Sequence, residues 1–112
     1  MSLEITTVEF KEKFLKNPQS LELIDVREKS EFSEIRVKGS KLIPMGELEK
    51  RLGEIDWSKE VIFICRSGGR SGYVTDALNN AGYLGKSLAG GVHILQMNCE
   101  ECMEKGDTKY FE

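Results

Sequence analysis

The run Val61-Ile62-Phe63-Ile64 most constrains what this chain can become, because it leads directly into Cys65-Arg66-Ser67-Gly68-Gly69-Arg70-Ser71. Four consecutive apolar, β-favouring residues without polar alternation describe a strand covered on both faces, the pattern of a parallel sheet. A glycine-containing turn comes next and then a helical pattern, with Val74, Ala77, Leu78 and Ala81 at i, i+3, i+4 and i+7 and Gly82 placed to end it. In such sheets, sites lie beyond the carboxyl ends of the strands. Cys65 stands at that end of the most apolar strand.

The rest of the chain alternates in the same way. Thr6-Thr7-Val8-Glu9 has the T-x-x-E form of a capping box and predicts a short helix ending near Asn17-Pro18. Leu21 to Val26 reads as a strand, Arg27 to Glu34 as a loop or short helix, and Lys41-Leu42-Ile43 as a strand stopped by Pro44. Met45 to Ile55 has helical composition, with Leu48, Leu52 and Ile55 on one face. Ser87-Leu88-Ala89 reads as a short strand, Gly90-Gly91 as a tight turn, and Val92 to about Lys105 as a final helix. Short apolar strands alternating with helices imply an α/β domain with a largely parallel central sheet.

The 112 residues, 39% hydrophobic and 31% charged, fit one soluble domain spanning 1–112. A net charge of −3 with mixed signs argues against a general nucleic-acid binder, which would show a basic face. No apolar run reaches the roughly 20 residues of a membrane span, and the N-terminus lacks the pattern of a secretory signal. Three cysteines without an export signal predict reduced thiols and a cytoplasmic setting rather than a disulfide framework.

A thiol is a weak nucleophile until ionised, and free cysteine titrates near pH ~8.5. The loop offers several means of favouring the thiolate: N–H groups of a helix start, Gly68 and Gly69 free to adopt left-handed angles, Arg66 and Arg70 as positive charges, and the Ser67 and Ser71 hydroxyls. The contrasting reading, an inert half-buried cysteine, leaves that clustering of arginine and glycine unexplained.

On these residues the chain resembles the rhodanese-like sulfurtransferases. Leu23-Ile24-Asp25-Val26-Arg27-Glu28 followed by Glu31-Phe32 is similar to the family's D-V-R-x-x-x-E-F signature. Gly39-Ser40 through Ile43-Pro44, Val61 through Ser71, and Leu88-Ala89-Gly90-Gly91-Val92 resemble three further segments, all in family order over about residues 5–103. The resemblance implies helices on both faces of the sheet and a persulfide carried on Cys65, cradled by the N–H groups of Arg66 to Ser71. It implies no metal or organic cofactor. Donors would be thiosulfate, a polysulfide or a protein persulfide, and the acceptor a thiophile. It further implies that Arg70 closes the loop, that Arg66 meets the incoming anion, and that Asp25 and Arg27 brace the site. Two departures are visible: Ile35-Arg36-Val37 replaces the usual G-H-I, and Leu95 replaces an aromatic residue after the G-G turn.

Other chemistries compete. A cysteine phosphatase builds a larger ring, C-x5-R, around a tetrahedral oxyanion. Here the arginine falls at C-x4-R, and Ser71 takes the fifth place, a loop better sized for a single sulfur. A cysteine hydrolase would need His93, the one histidine, which is expected to face solvent. A binding or sulfur-relay module on the same fold, without its own turnover, is the non-enzyme alternative. Cys99-x-x-Cys102 is one half of a zinc site at most. Cys99 is expected to pack in the core, with one of the pair as a candidate to resolve the Cys65 persulfide. The acidic stretch from Glu100 to Glu112 is expected to be a solvated helix end.

Overall fold

The computed structural model describes residues 3–106. Five parallel strands form the main sheet in the order β1 (Glu4–Ile5), β6 (Lys86–Leu88), β5 (Glu60–Ile64), β2 (Leu21–Asp25) and β4 (Lys41–Leu42). The most apolar run is the central strand β5, as its composition predicts. Its side chains alternate between two cores. Ile62 and Ile64 join Phe10 and Phe14 of α1 (Thr7–Lys16) and Val92 and Leu95 of α4 (Gly91–Asn98). Val61, Phe63 and Cys65 join Val74 of α3 (Gly69–Asn80) and Leu48 and Ile55 on the other face. Helices therefore cover both faces, and the α/β reading stands.

Local signals explain the helix boundaries. Thr6 caps α1 in a complete capping box, its hydroxyl accepting from the Glu9 N–H while Glu9 accepts from the Thr6 N–H. The segment after β2 forms the short helix α2 (Lys29–Glu34). Met45–Glu54 is 3-10 helix rather than α-helix, kinked at Arg51, yet Leu48 and Ile55 are buried as expected, with Leu52 packed against them.

The C-terminal expectation is corrected. Helix α4 stops at Asn98, a 3-10 turn covers Glu100–Cys102, and Met103–Lys105 forms strand β7. β7 pairs antiparallel with β3 (Ile35–Val37), the very segment that departs from the family pattern. Arg36 of β3 binds Glu104 of β7 at 2.8 Å and lies over the Phe32 ring. A long-range partner thus turned the anticipated helix end into a strand. Residues 107–112 of the acidic stretch lie outside the described residues.

The expectation of three reduced thiols is corrected as well. Cys99 and Cys102 form a disulfide, and Cys65 is the free cysteine. Cys99 does pack in the core, as does Cys102, within the cluster on the face opposite that of Cys65. Closing so short a loop removes little chain entropy. Among the described residues no group of side chains could hold a metal ion.

Candidate active site

β5 delivers Cys65 to the carboxyl end of the sheet, and the chain then curls back before α3 begins. Gly68 makes that curl with φ +104°, a left-handed conformation that a side chain disfavours. Gly69 does not share it and is simply the first residue of α3. The result aims backbone donors at sulfur. The Gly68 N–H donates to Cys65 Sγ at 3.0 Å and the Ser71 N–H at 3.4 Å, with the Ser71 Oγ also 3.4 Å away. Burial pushes the Cys65 thiol up. The Ser71 hydroxyl and the N–H groups of Ser71, Gly68 and Ser67 outweigh that burial and hold the thiol below its ordinary range.

Helix α4 fastens the loop from behind. The Cys65 carbonyl accepts from the Val92 N–H and the Arg66 carbonyl from the His93 N–H, both at 2.9 Å. Gly91, with φ +59°, lies so close that a Cβ there would collide with both carbonyls. This is the physical reason for a G-G turn before the last helix: only glycine lets the two backbones approach.

Arg70 does not point into the ring of donors. Its guanidinium makes a two-pronged bond to Glu31 of α2, at 2.7 and 2.9 Å. Arg70 thereby ties α3 to α2, with its own pKa raised by Glu31. The Arg70 hydrogen bonds overcome partial burial and hold the Glu31 carboxyl down at about 2. That link carries a pH signature. Because the folded value is depressed, the pair stabilises the protein above the ordinary glutamate range near ~4.3, and this contribution is lost as pH falls toward 2. Glu31→Gln is expected to flatten that part of the acid-unfolding profile, measured by circular dichroism between pH 2 and 5.

Asp25 and Arg27 form a closed, buried pair. Both carboxylate oxygens accept from the Arg27 guanidinium at 2.8 to 3.0 Å, and the Arg27 N–H adds a bond to Oδ1. The nitrogen that binds Oδ2 at 2.8 Å also donates to the Ile35 carbonyl, at 2.7 Å. The pair thus fixes the path from β2 into β3.

Arg66 is exposed, as are Ser67 and His93. Arg66 and His93 line a pocket of about 190 Å³ beside the loop, with Glu31, Glu34 and Gln96 on its walls. The structure therefore gathers Cys65, Gly68, Ser71, Arg70, Arg66, Asp25 and Arg27 at one end of the sheet. It leaves Cys99 and Cys102 on another face. Sequence reasoning missed Glu31 as the partner of Arg70 and missed Ser87, whose hydroxyl lies 2.7 Å from Ser71 Oγ. Glu31 was visible only as a motif letter, and Ser87 only as a residue of a short strand.

Comparison with known proteins agrees with this fold. The rhodanese-like domain family matches residues 6–97. A Bacillus subtilis protein named "Putative sulfurtransferase YtwF" is 38% identical over 89 residues, covering 80% of this chain and 85% of its own length. Another from the same organism, "Putative sulfur carrier protein YrkF", is 36% identical over 80 residues, which are 71% of this chain but 43% of that protein. A solved rhodanese-like domain protein from Staphylococcus aureus superposes with a TM-score of 0.76 at 29% identity, covering 83% of this chain and 90% of that one.

Proposed function

This chain belongs to the rhodanese-like domain family, and from that premise we propose that it is a sulfurtransferase working through a persulfide on Cys65. The observation that carries the reading is the cradle itself: two N–H groups and a hydroxyl converge on one sulfur, at the end of a buried strand. A thiolate stabilised in this way attacks the outer sulfur of a donor. With thiosulfate, a Cys65–sulfur bond forms as the sulfur–sulfur bond of the donor breaks, and sulfite leaves with the bonding pair. An acceptor nucleophile, cyanide in an assay or a thiolate, then takes the outer sulfur and returns Cys65 as thiolate. The two half-reactions give ping-pong kinetics and use no metal or organic cofactor. The anionic donor meets Arg66 in this reading, and the exposure of Arg66 at the pocket beside the loop supports that role.

The phosphatase reading loses its key part. Its arginine would clamp the oxyanion, whereas Arg70 is committed to Glu31. A second reading, a sulfur carrier without independent turnover, is favoured by the resemblance to the protein named as a sulfur carrier. The two differ in turnover. Intact mass spectrometry after incubation with thiosulfate or a polysulfide is expected to show one added sulfur, and cyanide is expected to remove it as thiocyanate. Thiocyanate produced in many-fold excess over protein identifies an enzyme, and a single equivalent identifies a carrier. Absence of any added sulfur with either donor would reject both. Among the described residues, no helix is long and apolar enough to cross a membrane.

A further inference from the structure

Ser87 is a buried polar residue of the main sheet. It lies on β6 beside Phe63 of β5, faces α3, and is fully buried. A hydroxyl at such a place must spend its proton on something. Among the described residues its side chain has one hydrogen-bond partner, the Ser71 hydroxyl at 2.7 Å, and Ser71 is itself fully buried. Ser71 Oγ in turn stands 3.4 Å from Cys65 Sγ and 3.4 Å from the Gly68 carbonyl.

Counting protons gives this chain a direction. If Ser71 donated to Ser87, the Ser87 proton would be left without an acceptor inside the protein. Cys65 would also lose its hydroxyl donor. If Ser87 donates to Ser71, every proton is placed, and the Ser71 proton is free for Cys65 or for Gly68. The larger sulfur is bonded at an ordinary distance at 3.4 Å, whereas an O–H···O bond usually spans about 2.5–3.0 Å. The Ser71 carbonyl is separately held by the Thr75 hydroxyl at 2.7 Å, which fixes the backbone that carries Ser71.

We infer that Ser87 is a positioning residue for Cys65: by donating to Ser71 Oγ it turns the Ser71 proton onto the Cys65 sulfur and sustains the thiolate. The three residues come from the position just after β5, the first turn of α3, and β6, so the arrangement exists only in the folded sheet. The Ser71 hydroxyl is also the strongest of the contacts that lower the Cys65 pKa, and a donor behind it strengthens that bond.

The test is the pH dependence of Cys65 alkylation by iodoacetamide, a readout independent of sulfur transfer. Its failure is therefore distinct from failure of the proposed function. The charged and titratable groups about the loop are the same in every variant: Arg70 with Glu31 of α2, Glu34 of α2, the Asp25–Arg27 pair after β2, Arg66 in the loop, and His93 on α4. Ser87→Ala is expected to move the inflection upward and to slow alkylation below it about threefold, and Ser71→Ala about tenfold. In the Ser71→Ala background, Ser87→Ala is expected to change nothing further. Ser87→Thr and Ser87→Val have nearly the same shape and differ in the hydroxyl; Thr is expected to retain the low inflection and Val to lose it. An unchanged inflection in Ser87→Ala, equal behaviour of the Thr and Val variants, or full additivity in the double variant would overturn the inference.

Discussion

Cys65→Ser is expected to abolish sulfur loading and to reduce turnover by on the order of a thousandfold or more. Serine keeps nearly the same size at a position that is 1% exposed, and its oxygen can accept from the Gly68 and Ser71 N–H groups that now serve sulfur. The fold is therefore expected to survive. The chemistry is not, because a hydroxyl titrates far above any working pH and forms no stable bond to a transferred sulfur. The measurement pairs intact mass after donor treatment with a thiocyanate assay, beside thermal melts of both proteins. Cys99 and Cys102 make the comparison sharp. They are bonded to each other and sealed in the core on the other face of the sheet. Loading that persists in Cys65→Ser would move the reaction to that pair and reject the assignment of Cys65.

Asp25→Ala is expected to cost about 3–5 kcal/mol of folding stability, a large part of the roughly 5–15 kcal/mol available to a domain. The carboxylate is fully buried and the guanidinium it balances is 3% exposed, so losing the carboxylate leaves a largely desolvated charge without its counter-ion. Truncation leaves Arg27 charged inside the protein with the Ile35 carbonyl as a remaining acceptor. Removing both charges is a different matter. Asp25→Ala combined with Arg27→Leu is expected to recover much of the loss, because the penalty lies in the orphaned charge rather than in the absence of a pair. Urea denaturation distinguishes the cases through the midpoint, at an unchanged slope. A double variant no more stable than Asp25→Ala would show that the carboxylate itself, through the Arg27 N–H it also holds, is what the fold requires.

The central strand, the active loop and the layering of helices were legible in the sequence. Val61 to Ile64 can be shielded only by a layer on each face, and the spacing of Phe10, Phe14, Leu48, Val74 and Leu95 supplies those layers. The ring of donors around the Cys65 sulfur was legible for a similar reason. Gly68, Ser71 and the start of α3 lie within six residues of Cys65, so local chain geometry suffices to bring their donors to the sulfur. These are short-range properties, set by side-chain periodicity and by the φ angles that glycine permits.

What only the tertiary structure decided was settled by contacts across long stretches of chain. Strand β7 forms because β3 lies beside it with unpaired backbone groups and a complementary Arg36 for Glu104, although its own composition reads as helix. Arg70 of α3 meets Glu31 of α2, 39 residues away in sequence, because the fold brings these two helix starts together. Cys99 and Cys102 are the exception: only three residues apart, they pair across the short 3-10 turn that follows α4. Ser87 reaches Ser71 because β6 enters the sheet beside β5. The residues from Cys65 to Ser71 determined by themselves that a sulfur would be cradled. Which groups stand behind that cradle depends on strand order, and no local pattern encodes the distance between residues that meet only when the sheet closes.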